Sequence, residues 1–285
     1  MKRAVVQLIK SARRRYVHEP HLRAAAREVD AFLVSYPKSG RTWLRFLLSC
    51  YFAETAGLGF APDLTTTFRV LPNFDRDPVR GLTAFVGPRP GLPLIAVSHL
   101  PYRERLFADA PVIFLVRDPR DVIVSAYFHA TRHKHTFEGP IDGFLDDSQY
   151  GLPALIAYLN GWAEGLAGRR SLTVTYERMQ DDPHAEISRI IRFLGHEVDE
   201  GALTRAIDAA AFDRMQKTER KSGIPGHDYD RSDRNSLRMR KGRAHAFADT
   251  LSDGQADVVL ARCEAELTRD ARDLLAQSLR QPAEA

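Results

Sequence analysis

Four short apolar, β-branched runs punctuate the chain, at Ala31 to Val34, Leu94 to Val97, Val112 to Val116 and Leu172 to Thr175. Between and after them apolar positions recur at helical spacing, which predicts helices over Thr42 to Thr55, Arg120 to Thr131, Pro153 to Leu166, Pro183 to Leu194, Glu200 to Ala210 and Gly254 to Gln277. Pro183 suits a first helical turn and Gly195 the position just past a helix end. Such alternation predicts an α/β domain with a central parallel sheet flanked by helices. Ligands bind beyond the carboxyl ends of the strands in such sheets. The segments after Val34 and Val116 both occupy that position. Two stretches fall outside the pattern. Ala61 to Pro93 is rich in Pro, Gly and Thr, carries Arg69, Arg76, Arg80 and Arg89, and has the length of a functional loop. Thr218 to Ser236 holds Gly223, Pro225 and Gly226 among many charges and reads as a mobile lid.

A chain of 285 residues, 44% of them hydrophobic and without a linker-like stretch, is expected to form one main domain, here residues 29–280. No apolar segment approaches the roughly 20 residues of a membrane span. Ala4 to Ile9 is too short and too polar for a signal peptide. Cys50 and Cys263 give no disulfide framework, and a cytoplasmic setting is expected. The net charge of +4 permits a polyanionic partner without demanding one, and no nucleic-acid partner is expected. Residues 1–28 read as a basic N-terminal segment, in which Lys10, Arg13, Arg14 and Arg15 follow apolar Val5, Val6, Leu8 and Ile9. It suits a frayed terminus or a helix in peripheral contact with an anionic membrane, and both readings stay open.

The candidate chemistry begins at Tyr36, Pro37, Lys38, Ser39, Gly40, Arg41, Thr42, Trp43, which closes the first apolar run and opens the first helix. A strand, a tight turn and a helix start leave backbone N–H groups pointing at whatever lies in front, and Lys38 adds a full charge. The GxxxxGK[ST] order of nucleoside-triphosphate loops is not met. The run resembles the 5′-phosphosulfate loop, YPKSGTTW, of cytosolic-type sulfotransferases that use 3′-phosphoadenosine 5′-phosphosulfate (PAPS), with Arg41 in place of a Thr. The resemblance implies that Lys38, Ser39, Gly40, Arg41, Thr42 and Trp43 bind PAPS and that Lys38 also serves catalysis.

Further motifs extend the match from about residue 29 to about residue 255. Taken alone, Arg117, Asp118, Pro119, Arg120, Asp121 is a capped helix start with surface ion pairs. It is also similar to the family's 3′-phosphate motif, which implies Arg117 and Ser125 as ligands; a guanidinium fork matches phosphate oxygens. Arg238 to Gly242 alone would be a solvated basic face. It resembles the family's RKGxxGDWK, implying Arg240, Lys241 and Gly242 at the same phosphate, although His245 and Phe247 replace the second Gly and the Trp. A lone His is more often structural, yet Val97, Ser98, His99, Leu100, Pro101 resembles the THLP box, which makes His99 the general base for the acceptor. The lysine common two residues earlier is Val97 here, and Arg41 is the candidate replacement. Tyr176 to Met179 and Phe212 to Met215 resemble segments that imply adenine contacts for Tyr176, Phe212 and Met215, with Ala210 and Ala211 replacing a Thr and a Ser. Core packing is the plain alternative for all three, and Trp162 reads as structural.

The resemblance implies a P-loop-like fold and in-line transfer of a sulfuryl group from PAPS to a hydroxyl or amine, without a metal. The acceptor is left as a small molecule, lipid or glycan. The arginines of Ala61 to Pro93 and the histidines of His129 to His135 point to a polar or anionic one, with surface solvation as the alternative. Two other functions fit the same motifs: a catalytically weak protein that binds a glycan or 3′-phosphoadenosine 5′-phosphate (PAP), and a small-molecule kinase. The family's dimer segment, KxxxTVxxxE, is not recognisable at Ala248 to Asp257, and the oligomeric state is open.

Overall fold

The structure is a computed structural model that describes residues 19–279 apart from Ala108. The basic cluster Lys10 to Arg15 lies outside the described residues. In chain order the elements are α1 (Glu19–Ala25), β1 (Ala31–Ser35), α2 (Arg41–Thr55), β2 (Ile95–Ser98), β3 (Val112–Val116), α3 (Pro119–Phe128), α4 (Ile141–Leu145), α5 (Leu152–Leu166) and β4 (Ser171–Thr175). There follow α6 (Tyr176–Asp181), α7 (Pro183–Phe193), α8 (Glu200–Ala209), α9 (Phe212–Ser222), α10 (Asp253–Glu266) and α11 (Arg269–Leu279). A π-helical turn, His129–His133, extends α3.

The four strands form one parallel sheet in the order β2-β1-β3-β4. Side chains alternate between its faces, and both faces are covered, which is why β1, β2 and β3 read as unbroken apolar runs. On one face Phe32, Val34, Phe114 and Val116 pack with Trp162 and Leu159 of α5 and Val259 and Cys263 of α10. On the other, Leu33, Ile113 and Leu115 meet Leu47 of α2, Ile187 of α7 and Leu203 of α8. The register then sets Ser35, Ser98, Val116 and Thr175 at one carboxyl rim, so the residues that follow each strand share an edge.

Three local departures have physical causes. The apolar spacing of Gly254 to Gln277 continues without a break, but the backbone is extended at Leu267 (φ −76°, ψ 143°). Asn160 of α5 ties the break by accepting from the Thr268 N–H at 2.8 Å and donating to the Glu266 carbonyl at 3.1 Å. The stretch Thr218 to Ser236 is packed rather than a free lid: Thr218 to Ser222 ends α9, while Ile224 and Ser236 are buried. Arg80 also holds it, donating to the Pro225 carbonyl at 3.1 Å. The long loop Ala61 to Pro93 joins the sheet edge through Asn73, since Val97 donates to the Pro72 carbonyl at 2.9 Å and Phe74 donates to that of Val97 at 2.8 Å.

Trp162 is fully buried, and its indole N–H donates to the Leu100 carbonyl at 3.0 Å, one residue past His99. Trp162→Ala is expected to cost about 3–5 kcal/mol. Urea denaturation measures it, and a loss below about 1 kcal/mol would contradict this packing role.

Candidate active site

The turn between β1 and α2 is built for close approach. Lys38 has φ 77° and Gly40 φ 98°, both in the left-handed region. A Cβ on Gly40 would meet Tyr176 Cδ2 at 2.4 Å, so glycine is required there on two counts. The Ser39 N–H donates to the Tyr36 carbonyl at 3.4 Å and the Trp43 N–H to that of Gly40 at 3.0 Å. Those two groups are therefore engaged inside the turn, leaving the N–H groups of Gly40, Arg41 and Thr42 at the open start of α2. Ser39 is itself buried, its hydroxyl donating to the Tyr36 carbonyl at 3.0 Å.

A cavity of about 370 Å³ opens before this turn. Lys38, Gly40, Arg41, Thr42, Trp43, His99, Arg117, Ser125, Tyr176, Phe212, Met215, Arg240, Lys241 and Gly242 all line it, so among the residues expected from the sequence only Ser39 stands behind the wall. The lining carries far more positive than negative charge. Among the described residues Lys38, Arg41 and Arg240 make no ion pair. Burial, reinforced by Arg238, Arg240 and Arg117, pulls the Lys38 amine down to about 7. Burial and Arg238 pull Arg41 down to about 9, and burial with Arg117 pulls Arg240 down to about 10. The cavity therefore favours a ligand with several negative charges.

Arg117 is held from several sides. Burial works against its charge, yet Tyr176, Asp121 and Glu177 keep its pKa above the ordinary value. Its guanidinium lies 4.0 Å over the Tyr176 ring, pairs with Asp121 at 3.0 Å and donates to the Lys38 carbonyl at 3.4 Å. The Arg117 to Asp121 run is thus both a helix cap and a wall of the cavity. Asp118 accepts from the Arg120 N–H at 2.9 Å and pairs with the Arg120 guanidinium at 2.6 Å, while Arg117 faces the cavity. Tyr176 has Arg117 on one face and Gly40 against its Cδ2–Cε2 edge, and Trp43 crosses it at 5.7 Å. A Cβ on Gly242 would sit 2.0 Å from Phe212 Cδ2, which locks the basic segment onto α9.

His99 lines the same cavity. Its Nδ1 lies 2.6 Å from the Ser35 carbonyl oxygen, an atom that can only accept, so Nδ1 bears the proton and Nε2 carries the lone pair. Burial first, and the Arg41 guanidinium second, hold its pKa well below the usual imidazole value, which keeps the ring neutral at physiological pH. Val97 is buried in the sheet, and Arg41 is the charged side chain that lines the cavity beside His99.

Two residues stand out only in three dimensions. Arg238 lines the cavity and donates to His227 Nε2 at 2.9 Å. Glu219, fully buried at the end of α9, anchors that segment: its carboxylate accepts from the Arg238 N–H, the Met239 N–H and the Tyr229 hydroxyl, each at 2.8 Å. A Glu within a charged helix end carries no sequence signal for such a role. Glu219→Gln replaces one accepting oxygen with a donor facing a backbone N–H, and is expected to cost about 1–3 kcal/mol. Urea denaturation with limited proteolysis at 222–240 checks this; an unchanged midpoint and cleavage pattern would contradict the anchor. Among the described residues no cluster of three His, Cys, Asp or Glu is placed to hold a metal ion.

The sequence model of the family described as "Sulfotransferase domain" matches residues 28–271. The chain is 30% identical to Sulfotransferase 2B1 of Rattus norvegicus over 67% of its own length and 56% of the relative's. It is 32% identical to the Mus musculus protein of that name over 67% and 57%. It thus spans a little over half the length of these curated relatives. In fold it is similar to mouse sulfotransferase SULT7A1 complexed with PAP (23% identity, 90% and 94% coverage, TM-score 0.61). It is also similar to retinol dehydratase in complex with androsterone and PAP (22% identity, 89% and 82% coverage, TM-score 0.59). The chain belongs to the sulfotransferase domain family.

Proposed function

We propose that this protein transfers a sulfuryl group from PAPS to a hydroxyl or amine, with the product nucleotide, PAP, held in the cationic cavity. The observation that carries the reading is the convergence of Lys38, Arg117 and Arg240, from three separate segments, on a cavity that His99 also lines. The donor set fits a nucleotide that bears phosphates at both ends. Lys38 and the N–H groups of Gly40, Arg41 and Thr42 offer one anion site at a helix start. Arg117, Ser125, Arg240 and Lys241 offer a second. The aromatic and sulfur surfaces of Trp43, Phe212 and Met215 lie between α2 and α9 and supply the apolar seat for the base.

PAPS supplies an activated sulfuryl group whose departure leaves negative charge on the 5′-phosphate. Lys38 stabilises that charge, and burial makes its contribution large because little water screens it. His99 Nε2 takes the acceptor proton as the new bond to sulfur forms and the bond from sulfur to the 5′-phosphate oxygen breaks. The Ser35 carbonyl orients the ring and selects the tautomer that can do this. PAP in two structural neighbours is consistent with the nucleotide assignment.

His99→Ala is expected to lower kcat by about 100-fold or more while the Kd for PAP changes by less than about threefold. Wild-type turnover in the variant would exclude the general-base role. Arg117→Ala is expected to weaken PAP binding by about 10- to 100-fold, and undiminished affinity would remove that ligand.

Lys38 gives a pH signature. Its amine titrates near 7, and a bound anion favours the charged form and raises that value. Affinity for PAP is then fully present below about 7 and weakens as pH rises through 7, by up to about tenfold per unit, until the bound-state pKa is passed. Calorimetry between pH 7 and 8.5 should show this slope together with proton uptake, and Lys38→Met should reduce both. A flat profile in the wild type would refute the assignment.

A further inference from the structure

Arg41 lines a second cavity as well as the first. This one, of about 410 Å³, meets the nucleotide cavity at Arg41 and His99 and is bounded elsewhere by Asn73, Asp75, Arg76 and Leu100. His99 therefore stands between two compartments. One is walled by Lys38, Arg117 and Arg240; the other is where an acceptor can reach the imidazole.

The second compartment also has an excess of positive charge. Arg41 makes no ion pair or side-chain hydrogen bond among the described residues. One helical turn along α2, Arg45 is 4% exposed with no carboxylate partner. It donates to the Asn73 side-chain oxygen at 2.6 Å, and its Nε has no hydrogen-bond partner. Asn73 lines the cavity, so a buried guanidinium backs the wall through a neutral amide. Arg76 is exposed at the mouth. The sole carboxylate in the lining, Asp75, is partly engaged, since its Oδ1 accepts from the Asp77 N–H at 2.9 Å. Arg41, Arg45 and Arg76 thus face one incompletely free carboxylate. Electrostatic neighbours divide in the same way: Arg41 responds to Asp75 and Arg80, whereas Lys38 responds to Arg240 and Arg117, and Arg238 bears on both.

Resting on the sulfotransferase reading, we propose that the second cavity is an anion-recognising acceptor site. The acceptor is a hydroxyl or amine compound that also carries a carboxylate, phosphate or sulfate group, which Arg41 and Arg76 bind while its nucleophile faces His99. An uncharged acceptor would leave Arg41 and Arg45 unpaired beside the reacting group, a cost that grows as water is displaced. A second anion adjacent to the nucleotide is tolerated because Arg41 lines both cavities and Arg238 lines the first.

The test uses the full chain and first measures PAP affinity alone, which judges the nucleotide reading independently. At saturating PAP, confirmed separately for every variant, calorimetry then compares 4-hydroxybenzoate with 4-hydroxybenzamide, and glucose 6-phosphate with glucose. At least one anion is expected to bind about tenfold or more tightly than its neutral counterpart. Arg41→Met should collapse that ratio to near one, and Arg76→Gln should reduce it by a smaller factor. Arg41→Lys, which keeps the charge but loses the fork, should retain part of it. Equal binding within each pair, no binding by either anion, or an unchanged ratio in Arg41→Met would overturn the proposal, even with PAP affinity intact. Loss of PAP affinity in the wild type would instead overturn the nucleotide reading.

Discussion

Recessed positive charge without matching carboxylates is the constraint around which this molecule is arranged. Removing a cation from water is costly, and proteins ordinarily offset it with a paired anion. Here the nearby acids are committed elsewhere. Glu219 is spent on two backbone N–H groups and a phenol and Asp118 on Arg120 and a helix cap, while Asp249 pairs with Arg243 and with Lys241 of the cavity wall. Among the described residues Asp121 is the carboxylate that pairs with a cavity arginine, Arg117, and it also accepts from the Phe247 N–H at 2.8 Å. Burial first, and neighbouring arginines second, lower the proton affinity of Lys38, Arg41 and Arg240.

Such a cluster exists only because a rigid scaffold holds it in place. The parallel sheet, sealed on both faces, sets four strand ends in register. Each strand end then turns at a residue that serves the rim: Tyr36 before the Lys38 turn, His99 after β2, Arg117 after β3 and Tyr176 after β4. Supports lie immediately behind. Tyr176 stacks under Arg117, Trp162 holds the Leu100 carbonyl beside His99, and the Ser35 carbonyl orients the imidazole itself. Neighbouring strands thus couple His99 to the Lys38 turn, because Ser35 and Lys38 belong to the same strand end.

The irregular segments add what the sheet cannot. The Ala61 to Pro93 loop brings Asn73, Asp75 and Arg76 to the side of His99 away from the Lys38 wall by pairing with the edge of β2. From the opposite direction the segment after α9 delivers Arg238 and Arg240, fixed by Glu219 and by the fit of Phe212 against Gly242. By length and composition the first reads as a functional loop, and Thr218 to Ser236 reads as mobile until its hydrogen bonds are seen.

The amino-acid order by itself determined the four strands, the parallel α/β class and the Lys38 turn, because continuous apolar runs and a Gly at a helix start are local signals of burial and backbone conformation. It also carried the family motifs around His99, Arg117 and Arg240 as short contiguous strings. Tertiary structure alone decided how those strings meet, since convergence depends on sheet order and register. It decided that α10 and α11 separate at Leu267, where an Asn160 hydrogen-bond pair overrides an unbroken apolar rhythm. It gave Tyr176 to Arg117 and Gly40, a matter of packing that no spacing encodes. And it set Arg41 and Arg45 near His99 without an ion-pair partner among the described residues, because charge balance is a property of neighbours in space rather than of neighbours in the chain.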